Sequence, residues 1–302
     1  MRILFMGDHL VGVAALEEIY AAKLHDLAVI GPGESRVRDW HQSVTLWAQE
    51  RGIAAATPED VNSDAFYATA AEFRPDIILS VFYNQILGPR LLALPRLGCL
   101  NVHPSLLPRY RGSGVLLWAL MNGEAETGIT IHFMVEKVDA GDIVLQRSLP
   151  IQPSDTGYTL YLRIAELTRA AFREEFLGYL ASGRFPRRPM AKLTKPYTRN
   201  SPRRNRLDWS KSSRELLNII RALTRPLDGA YTELLGQRLH IWRAIDLDST
   251  PAVDRPAGEF WTDDSEGRLF VRTGSGSLEI LDVSYADVRL SSREFIARFW
   301  RK

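Results

Sequence analysis

The chain has 302 residues, 45% of them hydrophobic and 25% charged, with a formal net charge of +2. This composition excludes collagen-like, coiled-coil and wholly disordered classes, and the length suits two domains. The single cysteine, Cys99, excludes an internal disulfide framework and a cysteine-based zinc site, and no apolar run nears the roughly 18 residues of a membrane span. The opening apolar run is too short for a signal peptide, so a cytoplasmic enzyme without a membrane partner is expected.

In chain order, residues 2–6 form an apolar run closed by Gly7 and Asp8, the pattern of a buried strand. Residues 11–22 carry apolar side chains at helical spacing. Residues 27–30 predict a second strand, stopped by Gly31-Pro32-Gly33, and residues 40–51 a helix with Gly52 just past its end. A helix over 64–73 leads through Pro75 to a third strand, 76–82, and residues 97–102 make a fourth. Strands alternating with helices predict an α/β domain whose mostly parallel sheet is covered on both faces. The turn at residues 7–12 holds two glycines at the wrong spacing for G-x-G-x-x-G, so no dinucleotide is expected there.

The charge is uneven along the chain. Residues 1–183 carry a net −6 and residues 207–302 a net −1, while residues 184–206 hold nine basic side chains and no acid. The basic segment also contains four prolines, which fix φ and remove backbone donors, so it reads as an extended, solvated connector. The expected organisation is therefore a catalytic domain over 1–183, a linker over 184–206 and a smaller domain over 207–302. In the last part, residues 212–223 predict an amphipathic helix capped by Ser212 or Ser213. Residues 230–290 alternate short apolar runs with turns, as in a small open β-barrel of OB type, and residues 291–294 open a terminal helix. Exposed sheet edges there make a homodimer an expectation.

Chemistry-bearing residues concentrate over 100–146. Asn101 and His103 are two apart at the end of a strand, so both point to one side, where open α/β sheets place ligands. An amide can donate to a developing oxyanion, and an imidazole can move a proton near neutral pH. An aspartate from the turn Val138-Asp139-Ala140-Gly141-Asp142 would orient that imidazole, and these residues alone do not say whether it is Asp139 or Asp142. The remaining histidines, His9, His25, His41, His132 and His240, have no comparable polar company in sequence.

The stretches NVHPSLLPRYRG, NGEAETGITIHFM and VDAGDIVLQ resemble the core motifs of the folate-dependent formyltransferase family. The resemblance covers most of residues 1–180 and implies a Rossmann-like catalytic domain. It implies that Asn101, His103 and Asp139 are catalytic, that 10-formyltetrahydrofolate donates the formyl group, and that no metal takes part. It further implies that the pterin lies against backbone of Gln85, Ile86 and Leu87 and of Val138, Ala140 and Gly141. Acceptor contacts are expected from His9, Arg109, Tyr110 and Arg111. Residues 207–242 are similar to the start of the C-terminal domain of the tRNA and amino-arabinose members.

The acceptor is less marked. Residues 80–87, SVFYNQIL, look more like the amino-sugar enzymes, which makes a nucleotide-linked amino sugar the first expectation. Methionyl-tRNA is the competing acceptor that the basic segment supports. The short loop at residues 31–44, with only Arg36 and Arg38 as fixed positive charges, argues against it. Hydroxyornithine of a siderophore, or water in a formyltetrahydrofolate hydrolase, would also fit the motifs.

Overall fold

The computed structural model describes residues 1–23, 26–32, 42–191, 195–197, 205–247, 254–263 and 266–300. His25, Trp40, His41 and most of the 31–44 loop lie outside them. By its backbone contacts the chain divides into two compact units. One comprises Met1–Val115, Glu126–Pro150 and Tyr161–Tyr197, the other Leu116–Ala125, Ile151–Leu160 and Thr198–Lys302. Among the described residues, no helix is long and apolar enough to cross a membrane.

The first unit is built on β1 (Arg2–Gly7), α1 (His9–Ala21), β2 (Asp26–Ile30), α2 (Val44–Gln49), β3 (Ala54–Ala56), α3 (Asp64–Phe73), β4 (Ile77–Val81), α4 (Pro89–Leu92) and β5 (Cys99–His103). After α5 (Val115–Met121) come β6 (Glu126–Phe133) and β7 (Ile143–Pro150). The helix α6 (Gly157–Ala171) then runs through a π turn, Phe172–Phe176, into α7 (Leu177–Ser182). The sheet order is β3-β2-β1-β4-β5-β6-β7, with β1 to β5 parallel and β6 and β7 antiparallel. Every residue of β4 is buried, which is why these strands read as unbroken apolar runs rather than alternating ones.

Local signals set the helix ends. Asp8 caps α1, and Ser63 caps α3, accepting a hydrogen bond from Phe66 N. Gly52 has φ +70° after α2, the left-handed conformation glycine adopts without penalty. Two strands escaped the sequence reading. β3 is three alanines, too short and too weakly apolar to show. β7 is buried only over its first three residues and then partly exposed, so neither period stands out.

The described part of the basic segment is extended, as the prolines require, and mostly exposed, but it is also tied to the first unit by specific contacts. Arg188 and Ile143 exchange both backbone hydrogen bonds, at 2.8 and 3.0 Å. The Arg187 guanidinium lies 3.5 Å from the Phe133 ring centre and 3.6 Å from Asp142 Oδ2. Farther on, Tyr197 N donates to Arg111 O at 2.8 Å and Tyr197 O accepts from Ser113 N at 3.2 Å. The strap needs Gly112 (φ +96°), where a Cβ would come 2.1 Å from Tyr197 O.

The second unit contains α8 (Ser213–Leu223), β8 (Ala230–Leu234), β9 (Gln237–Asp246), β10 (Phe260–Asp263), β11 (Arg268–Arg272), β12 (Ser277–Tyr285), β13 (Val288–Ser291) and α9 (Ser292–Phe295). Its antiparallel sheet has the order β10-β11-β12-β9-β8, with β13 paired to β12. Of the two candidate caps of α8, Ser212 is the cap, in a reciprocal capping box with Glu215. Leu216 and Ile220 of α8 pack with Leu239, Ile241, Leu278 and Ile280 in one apolar core.

Candidate active site

Asn101 and His103 lie on β5, with Asn101 opposite His132 and His103 opposite Thr130 of β6. Because residues two apart share a face, Asn101, His103, Thr130 and His132 belong to one face of the sheet. β6 is antiparallel, so the loop that follows it starts level with Leu100, at the amino end of β5. It must double back across that face to bring Asp139 to the histidines. Gly141 permits the return: a Cβ there would lie 2.1 Å from Phe133 O. Of the two aspartates, Asp139 points into the cluster, whereas Asp142 faces Arg187.

One oxygen of Asp139, Oδ1, is 3.6 Å from His103 Nδ1 and 3.5 Å from His132 Nε2. The other, Oδ2, accepts from Gly112 N at 2.8 Å. Both imidazoles are committed at their far nitrogens. His103 Nε2 donates to Tyr110 O at 2.8 Å, and His132 Nδ1 donates to Phe133 O at 2.8 Å, since a carbonyl can only accept. Each ring therefore turns its remaining nitrogen to the carboxylate. Asn101 Nδ2 donates to His132 Nε2 at 3.3 Å, which orients the amide and leaves its second N–H to offer elsewhere.

The electrostatics follow burial and partners. His103 is 4% exposed, and burial lowers its pKa from the usual value, against the pull of Asp139. For Asp139, burial alone would push the carboxyl up. The two histidines and the Gly112 N–H outweigh it and hold the pKa down at about 2. Two residues of the site, Tyr110 (φ +55°) and Asp139 (φ +48°), sit in left-handed backbone that side-chain-bearing residues adopt only at a cost.

The other expected residues divide. Arg111 is a correction. It is 3% exposed, its Nε donates to Asp139 O at 2.9 Å and its Nη2 to Val138 O, so it braces the 138–141 loop and is not offered to an acceptor. Arg109 is exposed, 5.9 Å over the Tyr110 ring, and that ring stacks on Tyr197 at 5.1 Å. His9 follows the α1 cap, edge-on to Phe82 and Tyr161 at 6.3 and 6.1 Å. The first two N–H groups of α1 are already taken, His9 N by Asp8 Oδ1 and Leu10 N by the Tyr161 hydroxyl, each at 2.7 Å. Burial raises the Asp8 carboxyl to about 6.

On the expected folate side, the Gln85 side chain ties down its own loop. Its Oε1 accepts from Val61 N at 3.1 Å and its Nε2 donates to Pro58 O at 3.3 Å. Leu87 is in the core, while Ile86 (70%) and Val138 (41%) are exposed apolar side chains, and Ala140 is half-buried.

The residue that sequence reasoning missed is His132. Its signal is the alternation of buried Ile129 and Ile131 with Thr130 and His132, but the β5–β6 pairing is needed to see what it faces.

Comparison with known proteins gives the family and the fold. The family model for formyl transferase matches residues 31–175, and that for the formyl transferase C-terminal domain matches residues 200–299. The fold is also similar to that of the N-formyltransferase from Helicobacter canadensis in complex with folinic acid and dTDP-3-aminofucose. That match has 20% identity and a TM-score of 0.74, covering 92% of this chain and 97% of that one. WlaRD, a sugar 3N-formyltransferase solved with dTDP and 5-N-formyl-THF, matches at 18% identity and TM-score 0.71, over 93% and 96% of the two chains. A variant of HypX from Aquifex aeolicus matches all of this chain at 21% identity and TM-score 0.64, and this chain spans about half of HypX, 48%. With both family models matched in order along it, the chain belongs to the formyl transferase family.

Proposed function

We propose that the protein transfers a formyl group from 10-formyltetrahydrofolate to the amino group of a nucleotide-linked amino sugar. The observation that carries formyl transfer is the cluster in which Asn101 and His103 of β5 meet Asp139 and His132. The exposed apolar side chains Ile86 and Val138, in the two loops expected to hold the pterin, suit an apolar ring system, so the donor fits the residues present. When bound, the folate supplies an activated formyl carbon.

The acceptor amine attacks that carbon, and negative charge builds on the formyl oxygen. Asn101, its amide anchored on His132, is the donor for that oxygen. His103 takes the proton released by the amine, and Asp139, ionised through the acid range, holds the charged imidazole. The same proton then goes to the departing folate nitrogen. The sugar acceptor is favoured by the two nearly full-length structural neighbours, which are described as acting on or binding amino sugars.

The test is turnover of labelled 10-formyltetrahydrofolate with dTDP-3-aminofucose, hydroxyornithine or methionyl initiator tRNA offered separately. Formylation of the sugar nucleotide is expected. Formate release without any amine would replace the reading by a hydrolase, and product only with tRNA would make tRNA the acceptor.

A further inference from the structure

A neutral His103 has one ring proton and two acceptors facing it, Tyr110 O at 2.8 Å from Nε2 and Asp139 Oδ1 at 3.6 Å from Nδ1. A carboxylate is the stronger acceptor, so a mobile site would turn the proton to Asp139. The observed arrangement requires the Tyr110 carbonyl to be held close to the ring. Tyr110 itself is in left-handed backbone, so something outside the residue must hold it.

Three side chains from three stretches of chain do so. Ser105 Oγ, in the loop after β5, lies 2.9 Å from Arg109 O and 3.0 Å from Tyr110 O and donates its proton to this pair. The Thr130 hydroxyl, on β6, donates to Ser105 O at 2.6 Å and accepts from Leu107 N at 3.1 Å. Gln146 Nε2, on β7, donates to Thr130 Oγ1 and to Leu107 O, both at 2.9 Å. Ser105 and Thr130 are 1% and 0% exposed, so water cannot replace a lost partner. The result is a chain of hydrogen bonds from Gln146 through Thr130 and Ser105 to the carbonyl on His103.

We infer that Ser105, Thr130 and Gln146 are positioning residues that hold His103 in its Nε2–H form, so that the proton taken from the acceptor amine arrives on Nδ1, beside Asp139. The inference rests on the formyl-transfer reading for the source of that proton. In the step, an N–H bond of the attacking amine breaks and an N–H bond at Nδ1 forms. The lone pair of the amine nitrogen forms the bond to the formyl carbon as the carbonyl pair moves to oxygen. Return of that pair breaks the bond from the formyl carbon to the folate nitrogen, which takes the proton back from the imidazolium. The charged groups that face His103 are Asp139 from the 138–141 loop, which favours the proton, and His132 of β6 and Arg111, which oppose it.

The experiment is nitrogen NMR of histidine-labelled protein without substrate, combined with steady-state kinetics and its pH profile. Wild type should show Nε2–H for His103. Ser105→Ala and Thr130→Val should admit the Nδ1–H form, lower kcat about tenfold or more, and leave both KM values within about twofold. Thr130→Ser, which keeps the hydroxyl, should restore the wild-type spectrum and pH profile. A folded Ser105→Ala that keeps Nε2–H and its pH profile would overturn the inference. If that variant does not fold, the Thr130→Val and Thr130→Ser pair decides in the same way. Because the spectrum needs no substrate, a wild type that transfers no formyl group would count against the formyl-transfer reading alone.

Discussion

His132 Nε2 stands 3.5 Å from Asp139 Oδ1, and His103 Nδ1 stands 3.6 Å from the same oxygen. One buried carboxylate thus serves two imidazoles from neighbouring strands. His132→Gln should relieve part of the force holding Asp139 down and raise its pKa by roughly one unit or more. The midpoint at which the Asp139 carboxyl resonance titrates should move up with it. An unmoved midpoint in the folded variant would show that His103 and Gly112 hold the charge by themselves.

Asn101→Ala should cost roughly 10²–10³ in kcat, the usual loss when one donor to a developing oxyanion is removed. The affinity for folinic acid, measured by calorimetry, should stay near that of wild type, since the amide is anchored on His132. A loss of affinity equal to the loss of rate would make Asn101 a binding group and not a donor to the developing charge.

Two glycines give opposite expectations. Gly141→Ala drives a Cβ to 2.1 Å from Phe133 O and should destabilise the protein by about 1–3 kcal/mol while displacing Asp139. Gly178 lies within α7, and a Cβ added there would meet no atom within 4 Å. Gly178→Ala should therefore stabilise by about 0.5–1 kcal/mol at unchanged turnover. Denaturant midpoints and turnover of the pair check both.

Asp8 and Asp139 predict opposite pH limbs of stability. Burial raises Asp8 from 3.8 to about 6, so the folded protein binds that proton more tightly than the unfolded chain. Its contribution is full below about pH 4 and is lost as the pH rises towards 6. Asp8→Asn keeps a good helix cap and removes the buried charge, so it should stabilise by up to about 3 kcal/mol at pH 8 and by little at pH 4. Asp139 behaves in reverse: its stabilisation is present above about pH 4 and is lost as the pH falls towards 2. Melting curves of Asp8→Asn and Asp139→Asn across pH 2–8 test the signs, and an Asp8→Asn gain confined to acid would refute the first.

The site was partly legible before any fold was known. Alternation along a strand is a local property, so Asn101 and His103 could be placed on one face from their spacing. The choice of Asp139 over Asp142 needed the family resemblance, and in the structure it is made by the loop that returns over β5 and by the attraction of Arg187 for Asp142. Arg111 misled the reading because a basic side chain in a loop looks available until the carbonyls of Val138 and Asp139 are seen to receive it.

By itself the amino-acid sequence determined the features that depend on near neighbours: the buried runs of β1, β4 and β5, a serine cap at Ser212 or Ser213 ahead of α8, and the left-handed turn at Gly52. Tertiary structure alone decided what depends on distant partners. It brought His132 against Asp139, laid the basic segment along β7 and the 110–113 loop, and joined Gln146 to His103 through Thr130 and Ser105. The physical reason is the range of the interactions. Periodicity and capping act within a few residues, whereas a buried hydrogen bond takes whichever partner the packing of the sheet brings to it.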